Sequence, residues 1–319
     1  MPSVTAFAPA TVSNVACGFD VLGFALNEPG DEVTARSVDD GESAAPRVLI
    51  DDILNDQGRL PRDPARNTAS VAVQALLAAL NQRRTIALTI RKGLPLSSGL
   101  GGSAASAVAA VVAADALLGA GASPETLMAC AFEGERLAAG SAHGDNIGPA
   151  VYGGFVLVRV ANPPDVIRLP IPRGLTAVVV HPDLEIETAR ARALLGPTVP
   201  LADAIQQWAN LGAFVDALHR GDFDQMARSL QDSIAEPRRA QLVPGLALIK
   251  RAAADAGALG CGLSGSGPSL FALCRDGASA AAVAAAMTQA VKAHIGGEPQ
   301  TYVSAIAPGG ARVIVPASV

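Results

Sequence analysis

The chain of 319 residues is half apolar and 17% charged, long and hydrophobic enough for two domains with buried cores, which excludes general disorder. A formal charge of −5 and an aromatic content of 3% argue against nucleic acid as a partner, since neither an attracting field nor a ladder of stacking rings is present. What remains, dominated by Ala, Val and Leu with 32 glycines, suits an enzyme acting on a small molecule.

Residues 3–7 and 32–37 have strand-like composition, and residues 85–91 alternate and are β-branched. The acidic stretch 39–56 reads as a solvated insertion. Helical patterning covers residues 67–80 and 103–118, the second closed by Gly119. Residues 103–122 have the length of a bilayer span, but Ala and Gly add little transfer energy, so the segment reads as a helix buried in protein and no membrane association is expected. A further helix is predicted over 124–139, with Ser123 as N-cap and Gly140 as stop. Strand-like runs at 154–160 and 175–180 flank the Pro-rich segment 162–173, the predicted domain boundary. Helices follow near 201–220, 223–233 and 245–256, then a strand at 270–273, a helix at 279–294 and a last strand near Val313. This uneven alternation predicts an α+β protein rather than a doubly wound sheet, in two domains, 1–170 and 171–319. Cys17, Cys130, Cys261 and Cys274 form no CxxC pair, and no basic-then-apolar leader pattern opens the chain, so a cytoplasmic protein is expected.

The most informative segment runs Pro95, Leu96, Ser97, Ser98, Gly99, Leu100, Gly101, Gly102, Ser103, Ala104 between a strand and an Ala-rich helix. Glycines leave backbone N–H groups unobstructed and a helix N-terminus adds partial positive charge, so the loop is suited to phosphate. Its letters also fit a dinucleotide fingerprint, but the helix leads into another helix rather than into the required second strand. A Walker A loop is excluded because Lys92, Lys250 and Lys292 are the only lysines and none follows the glycines. A second Gly/Ser cluster, residues 260–271, leads into a strand, and the two loops could close on a triphosphate and its acceptor from opposite sides. Asn14 and Asp20 stand out as polar residues in an apolar, Gly-punctuated segment, with ordinary turn residues as the alternative. His143 and Asp145 lack the further donors a zinc site needs. Arg190, Arg192, Arg238 and Arg239 lie near helix starts, where a bound anion would offset an unfavourable position, with ordinary surface arginine as the default reading.

In these motifs, taken in order, the chain resembles the GHMP family of small-molecule kinases along essentially its whole length. The resemblance rests on the segment from Asn14 to Asp20, the loop of residues 95–105, His143, Asp145 and Asn146, the segment 188–192, Glu236 to Arg239, and residues 262–271. It implies a two-domain α+β fold, with an N-terminal ribosomal-S5-like α/β domain that binds nucleotide and a C-terminal ferredoxin-like α+β domain. It also implies transfer of the γ-phosphoryl of ATP, with Mg2+, to a small-molecule hydroxyl by a homodimer; the chain most resembles the branch acting on L-homoserine, with a mevalonate-type kinase or a catalytically silent ligand-binding member of the same fold as the alternatives.

By the same resemblance Asp20 takes the substrate ammonium, Arg192 and Arg239 its carboxylate, and Asn14 and Asn146, beside His143 and Asp145, its remaining polar atoms including the hydroxyl. Asn14, Asp20 and Asn146 are the expected catalytic set, with Asp145 as the remaining candidate for a base. Asn67 lies near adenine, residues 95–104 hold the phosphates, and Ser103 and Glu135 hold Mg2+. An independent chemical requirement agrees: a zwitterion with a reacting hydroxyl needs a carboxylate, guanidinium groups and an amide, all of which are present. One departure stands out, since Gly102 occupies the place of a serine that helps hold magnesium in the family.

Overall fold

A long strand organises the first half of the molecule. The structure, a computed structural model, describes residues 2–38, 45–139 and 144–314. In chain order the first part comprises β1 (Ser3–Ser13), β2 (Leu22–Val38), β3 (Arg47–Leu54), α1 (Thr68–Ala79), β4 (Thr85–Arg91), α2 (Gly102–Leu118), α3 (Pro124–Ala139), α4 (Gly144–Tyr152), β5 (Phe155–Val160) and β6 (Asp165–Leu169). The second part comprises β7 (Thr176–His181), α5 (Thr188–Ala193), α6 (Leu201–Arg220), α7 (Phe223–Ser229), α8 (Glu236–Arg239), α9 (Leu246–Asp255), β8 (Gly260–Leu263), β9 (Leu270–Cys274), α10 (Gly277–His294), β10 (Gln300–Ala305) and β11 (Arg312–Ile314).

The 17 residues of β2 pair antiparallel with β1 and β4 along most of their length and with β5 near Leu22. β3 adds parallel to β4, β6 extends β5, and β11 returns to pair with β1. The result is an α+β arrangement of two sheets, one of seven strands and one of four in the order β10-β7-β9-β8. α2 packs on β1 and β2 on one side and on α1 and α3 on the other. That position explains its composition, for a helix buried all round is apolar all round, and alanine lets its neighbours approach closely.

The four-stranded sheet is sandwiched. Val178, Val180, Leu270 and Ala272 face a core beneath α9 and α10, whereas Ala177, Val179, Phe271 and Leu273 face the larger core shared with the first sheet, as the two-residue period of a strand requires. Phe24, Phe155, Phe214 and Phe271 link across this shared core with centroid separations of 5.0, 5.9 and 6.1 Å.

Residues 47–54, expected in a solvated insertion, form β3 instead, because Val48 and Ile53 reach the core. Residues 39–44 of that stretch, and Gly140, the expected stop of α3, lie outside the described residues. The Pro-rich segment 162–173 carries β6, and the helix expected over 223–233 ends at Ser229. Strand β1 runs six residues beyond the expected 3–7, to Ser13.

Phe155 has no solvent exposure and touches two of the other rings. Phe155→Ala is expected to cost about 3–5 kcal/mol of stability, read from urea unfolding, with both sheets lost in one transition because the ring belongs to their common core.

Candidate active site

The glycine loop is shaped by contacts that leave no room for side chains. A Cβ at Gly99 would sit 2.5 Å from the Ser264 carbonyl oxygen, and one at Gly101, where φ is 67°, would sit 2.2 Å from Thr11 Oγ1. Gly101 is also the N-cap of α2 and supplies no side-chain cap, so the N–H groups of the first turn are left for an anion. At Gly102 there is space: a Cβ would meet only Lys92 Nζ at 3.6 Å and Leu94 Cβ at 3.8 Å.

Beneath the loop lies a polar cluster that sequence reasoning missed. Lys92 Nζ donates to Asp31 Oδ2, to the Gly102 carbonyl at 2.7 Å and to Ser106 Oγ at 2.8 Å. Asp31 Oδ1 accepts from the backbone of Gly93 and Leu94, so the buried ion pair is closed on both sides. The one available signal was the scarcity of lysine, with Lys92 three residues before the loop.

The second Gly/Ser cluster packs against the first, and its Gly265 and Ser266 line the same cavity. Ser264 Oγ donates to the Gly99 carbonyl at 2.7 Å, Ser269 N to the Ser98 carbonyl at 3.2 Å, and Gly265 N to the Ser13 carbonyl at 3.2 Å. Together these segments wall a cavity of about 690 Å3, a volume suited to a small-molecule site. Every residue assigned above to the site lines it, with three exceptions. Leu100 and Ala104 are fully buried and belong to the core, and His143 lies outside the described residues. Arg59 and Arg66 line it unanticipated; Arg59 is paired with Glu185 across the two parts of the molecule at 2.5 and 2.8 Å. Asn67 is engaged as the N-cap of α1 and donates to the Pro61 carbonyl.

Away from the glycine loop the wall is charged. Asn14, Val15 and Ala16 all have positive φ, and the Asn14 side chain fastens this left-handed run by donating to the Gly265 carbonyl and accepting from Asp20 N. Arg192 Nη1 donates to Asp20 Oδ2 at 2.6 Å, and Arg239, buried, donates to the carbonyls of Gly265 and Ala191. Both guanidinium groups lie over the Phe19 ring, at 5.5 and 5.4 Å. Asn146 accepts from Thr11 Oγ1 at 2.8 Å and donates to Ser13 Oγ at 3.1 Å, which fixes its amide at the seam between the two halves of the cavity.

Two carboxyl groups are buried with one oxygen each lacking a partner among the described residues, Glu135 Oε1 and Asp145 Oδ1. Burial pushes Glu135 above the usual carboxylate range, partly offset by a hydrogen bond from Ser103 and by Lys92. Burial, with the Asp20 carboxylate adding to it, raises Asp145 to about 7. No group of three or more His, Cys, Asp or Glu residues able to hold a metal occurs among the described residues, and no helix there is long and apolar enough to cross a membrane.

The family model described as GHMP kinases N terminal domain matches residues 67–154, and that for the GHMP kinases C terminal domain matches residues 214–293. A curated relative from Chlorobaculum tepidum, named homoserine kinase, is 47% identical, the alignment covering 98% of this chain and 99% of that protein. The chain belongs to the GHMP kinase family. As a member it is a small-molecule kinase that uses ATP and phosphorylates a hydroxyl group. A homoserine kinase from Xanthomonas campestris pv. campestris is 44% identical over 97% of this chain and 93% of its own length. The crystal structure of homoserine kinase from Cytophaga hutchinsonii matches with a TM-score of 0.93 and 46% identity, over 98% of both chains.

Because the Asp145 carboxyl binds its proton more tightly in the folded chain than in the unfolded one, its stabilising contribution is complete below pH 4 and is lost as pH rises to about 7. Asp145→Asn removes that dependence. Urea unfolding of the ligand-free protein should show the variant gaining about 2 kcal/mol on the wild type between pH 5 and pH 8.

Proposed function

We propose that this chain transfers the γ-phosphoryl group of ATP to the side-chain hydroxyl of L-homoserine, giving O-phospho-L-homoserine and ADP, a step towards threonine. Its full-length relatives carry that activity in their names, and the charge layout of the cavity supports it. Asp20 and Arg192, which pair with each other when no ligand is bound, offer one anion and one cation to a zwitterion. On binding, the substrate ammonium takes the place of Arg192 at Asp20, and its carboxylate bridges Arg192 and Arg239 in a charge-assisted contact. Asn14 and Asn146 then flank the path from amino acid to glycine loop and hold the hydroxyl.

The β- and γ-phosphates lie against the N-terminus of α2, where N–H groups of a rigid backbone stabilise the charge that builds in phosphoryl transfer. Phosphoryl transfer of this kind depends on positioning more than on a strong base. The hydroxyl oxygen forms the new bond to phosphorus as the bond to the ADP oxygen breaks. Asp145, with proton affinity near neutrality, is suited to take the released proton.

Mg2+ fits one place. Glu135 Oε1 is buried without a partner and its carboxyl is bonded to Ser103, a pair of hard oxygen donors at the start of α2. Bound there, Mg2+ would neutralise phosphate charge and keep Glu135 ionised. Gly102 has no side chain to offer such an ion, so Glu135 and Ser103 would be the side chains that hold it. Four buried free thiols accord with a reducing cytoplasm.

In an ADP-release assay, Arg239→Ala should raise the homoserine KM at least ~10-fold and leave the ATP KM nearly unchanged, since it removes a charge-assisted contact to one substrate only. An unchanged homoserine KM would remove Arg239 from the site. Asp20→Asn should do the same, and activity on mevalonate or galactose exceeding that on homoserine would overturn the proposal as a whole.

A further inference from the structure

One buried amide lies behind the amino-acid end of the cavity and touches both of its charged walls. Gln207, on α6, is 7% exposed and does not line the cavity. Its Nε2 donates to the carbonyls of Ala16 at 3.2 Å and Cys17 at 3.0 Å, at the end of the left-handed run of residues 14–16 and in the segment that leads on to Asp20. Its Oε1 accepts from Ser233 N at 2.7 Å. Ser233 follows Asp232, whose carboxylate takes the N–H groups of Ile234, Ala235 and Glu236 and so starts α8, the short helix that carries Arg239. One side chain therefore spans from the segment that presents Asp20 to the segment that presents Arg239, which are more than two hundred residues apart in sequence.

Both segments need such a tie. Val15 and Ala16 hold positive φ, a conformation that non-glycine residues keep only when their surroundings impose it. α8 is one turn long and cannot fix its own orientation. With donors and acceptor all used in burial, the amide is committed to this geometry, and removing either end would strand a buried polar group.

We propose that Gln207 is a positioning residue that sets the separation of Asp20 from Arg239, and with it the ammonium-to-carboxylate spacing that the site accepts. The inference rests on those two residues taking the two charges of the amino acid. It assigns to a group remote from the ligand the selection of an α-amino acid over one whose charges lie an extra methylene apart.

The test compares L-homoserine with its β-amino homologue, 3-amino-5-hydroxypentanoate, in the ADP-release assay. Gln207→Met, similar in volume but unable to bridge, should raise the homoserine KM ~10-fold with the ATP KM within ~2-fold, the cost expected of a substrate group misplaced by a fraction of an ångström. Selectivity for homoserine over the homologue, as a ratio of kcat/KM, should fall by a similar factor. A folded Gln207→Met with unchanged selectivity overturns the inference, as does an equal rise in both KM values, which marks a general structural role. Should that variant not fold, Gln207→Glu replaces it; the acid keeps the acceptor for Ser233 N and donates to a carbonyl only when protonated. Its selectivity should be lower at pH 8 than at pH 6, and a pH-independent, wild-type ratio overturns the inference. Asp20→Asn and Arg239→Ala run in parallel separate the two claims. If they leave the homoserine KM unchanged, the assignment of charges fails and the inference falls with it; if they raise it while the Gln207 variants do not, only the positioning role fails.

Discussion

Backbone packs directly on backbone where residues 98–99 meet residues 264–269. No side chain fits at Gly99, since a Cβ there would overlap two carbonyl oxygens of the other segment. The contact fixes where α2 begins and therefore where its N–H groups point. It also fastens β1, because Gly265 N reaches the Ser13 carbonyl and Asn14 reaches the Gly265 carbonyl. The glycine-loop end of the cavity and the end lined by Asp20 and Arg192 thus share one joint, as the phosphoryl transfer by positioning that we propose requires.

Around that joint the charges follow a gradient of burial. Asp31 is fully enclosed and Lys92, at the cavity wall, is buried and bonded to Asp31, Gly102 and Ser106, so the pair supports the loop from beneath. Glu135 and Asp145 are enclosed but incompletely satisfied, which places them where a cation or a proton can be exchanged. Asp20 and Arg192 are a third exposed and pair with each other, and the proposed exchange of their bond for two bonds to a zwitterion starts from that pair.

The glycine loop was legible because its close contacts at Gly99 and Gly101 demand bare backbone, and bare backbone is written as glycine. The Ala-rich character of α2 was equally direct, because a helix with no exposed face has no polar stripe to interrupt it. β3 was not legible: its acidic residues face solvent while only Val48 and Ile53 mark the buried side, too short an alternation to separate from a loop. α4 was hidden by Gly148 and Pro149, residues that discourage a helix locally and are tolerated here by packing. Lys92, Asp31 and Gln207 escaped because their partners are distant in sequence, and nothing in composition or spacing records a contact across 61 or 190 positions. The charged residues of the amino-acid end became visible only as a set in order, since each alone is an ordinary turn or surface residue.

The return of β11 to the edge of β1 has a consequence for how the chain divides. The second sheet is an insertion between two segments of the first rather than a module appended to its end, so the polypeptide crosses between the lobes twice. The two crossings and the core that both sheets share hold the lobes together. A gene cut near residue 170 would leave one fragment with an unpaired strand edge and the other with a stray strand.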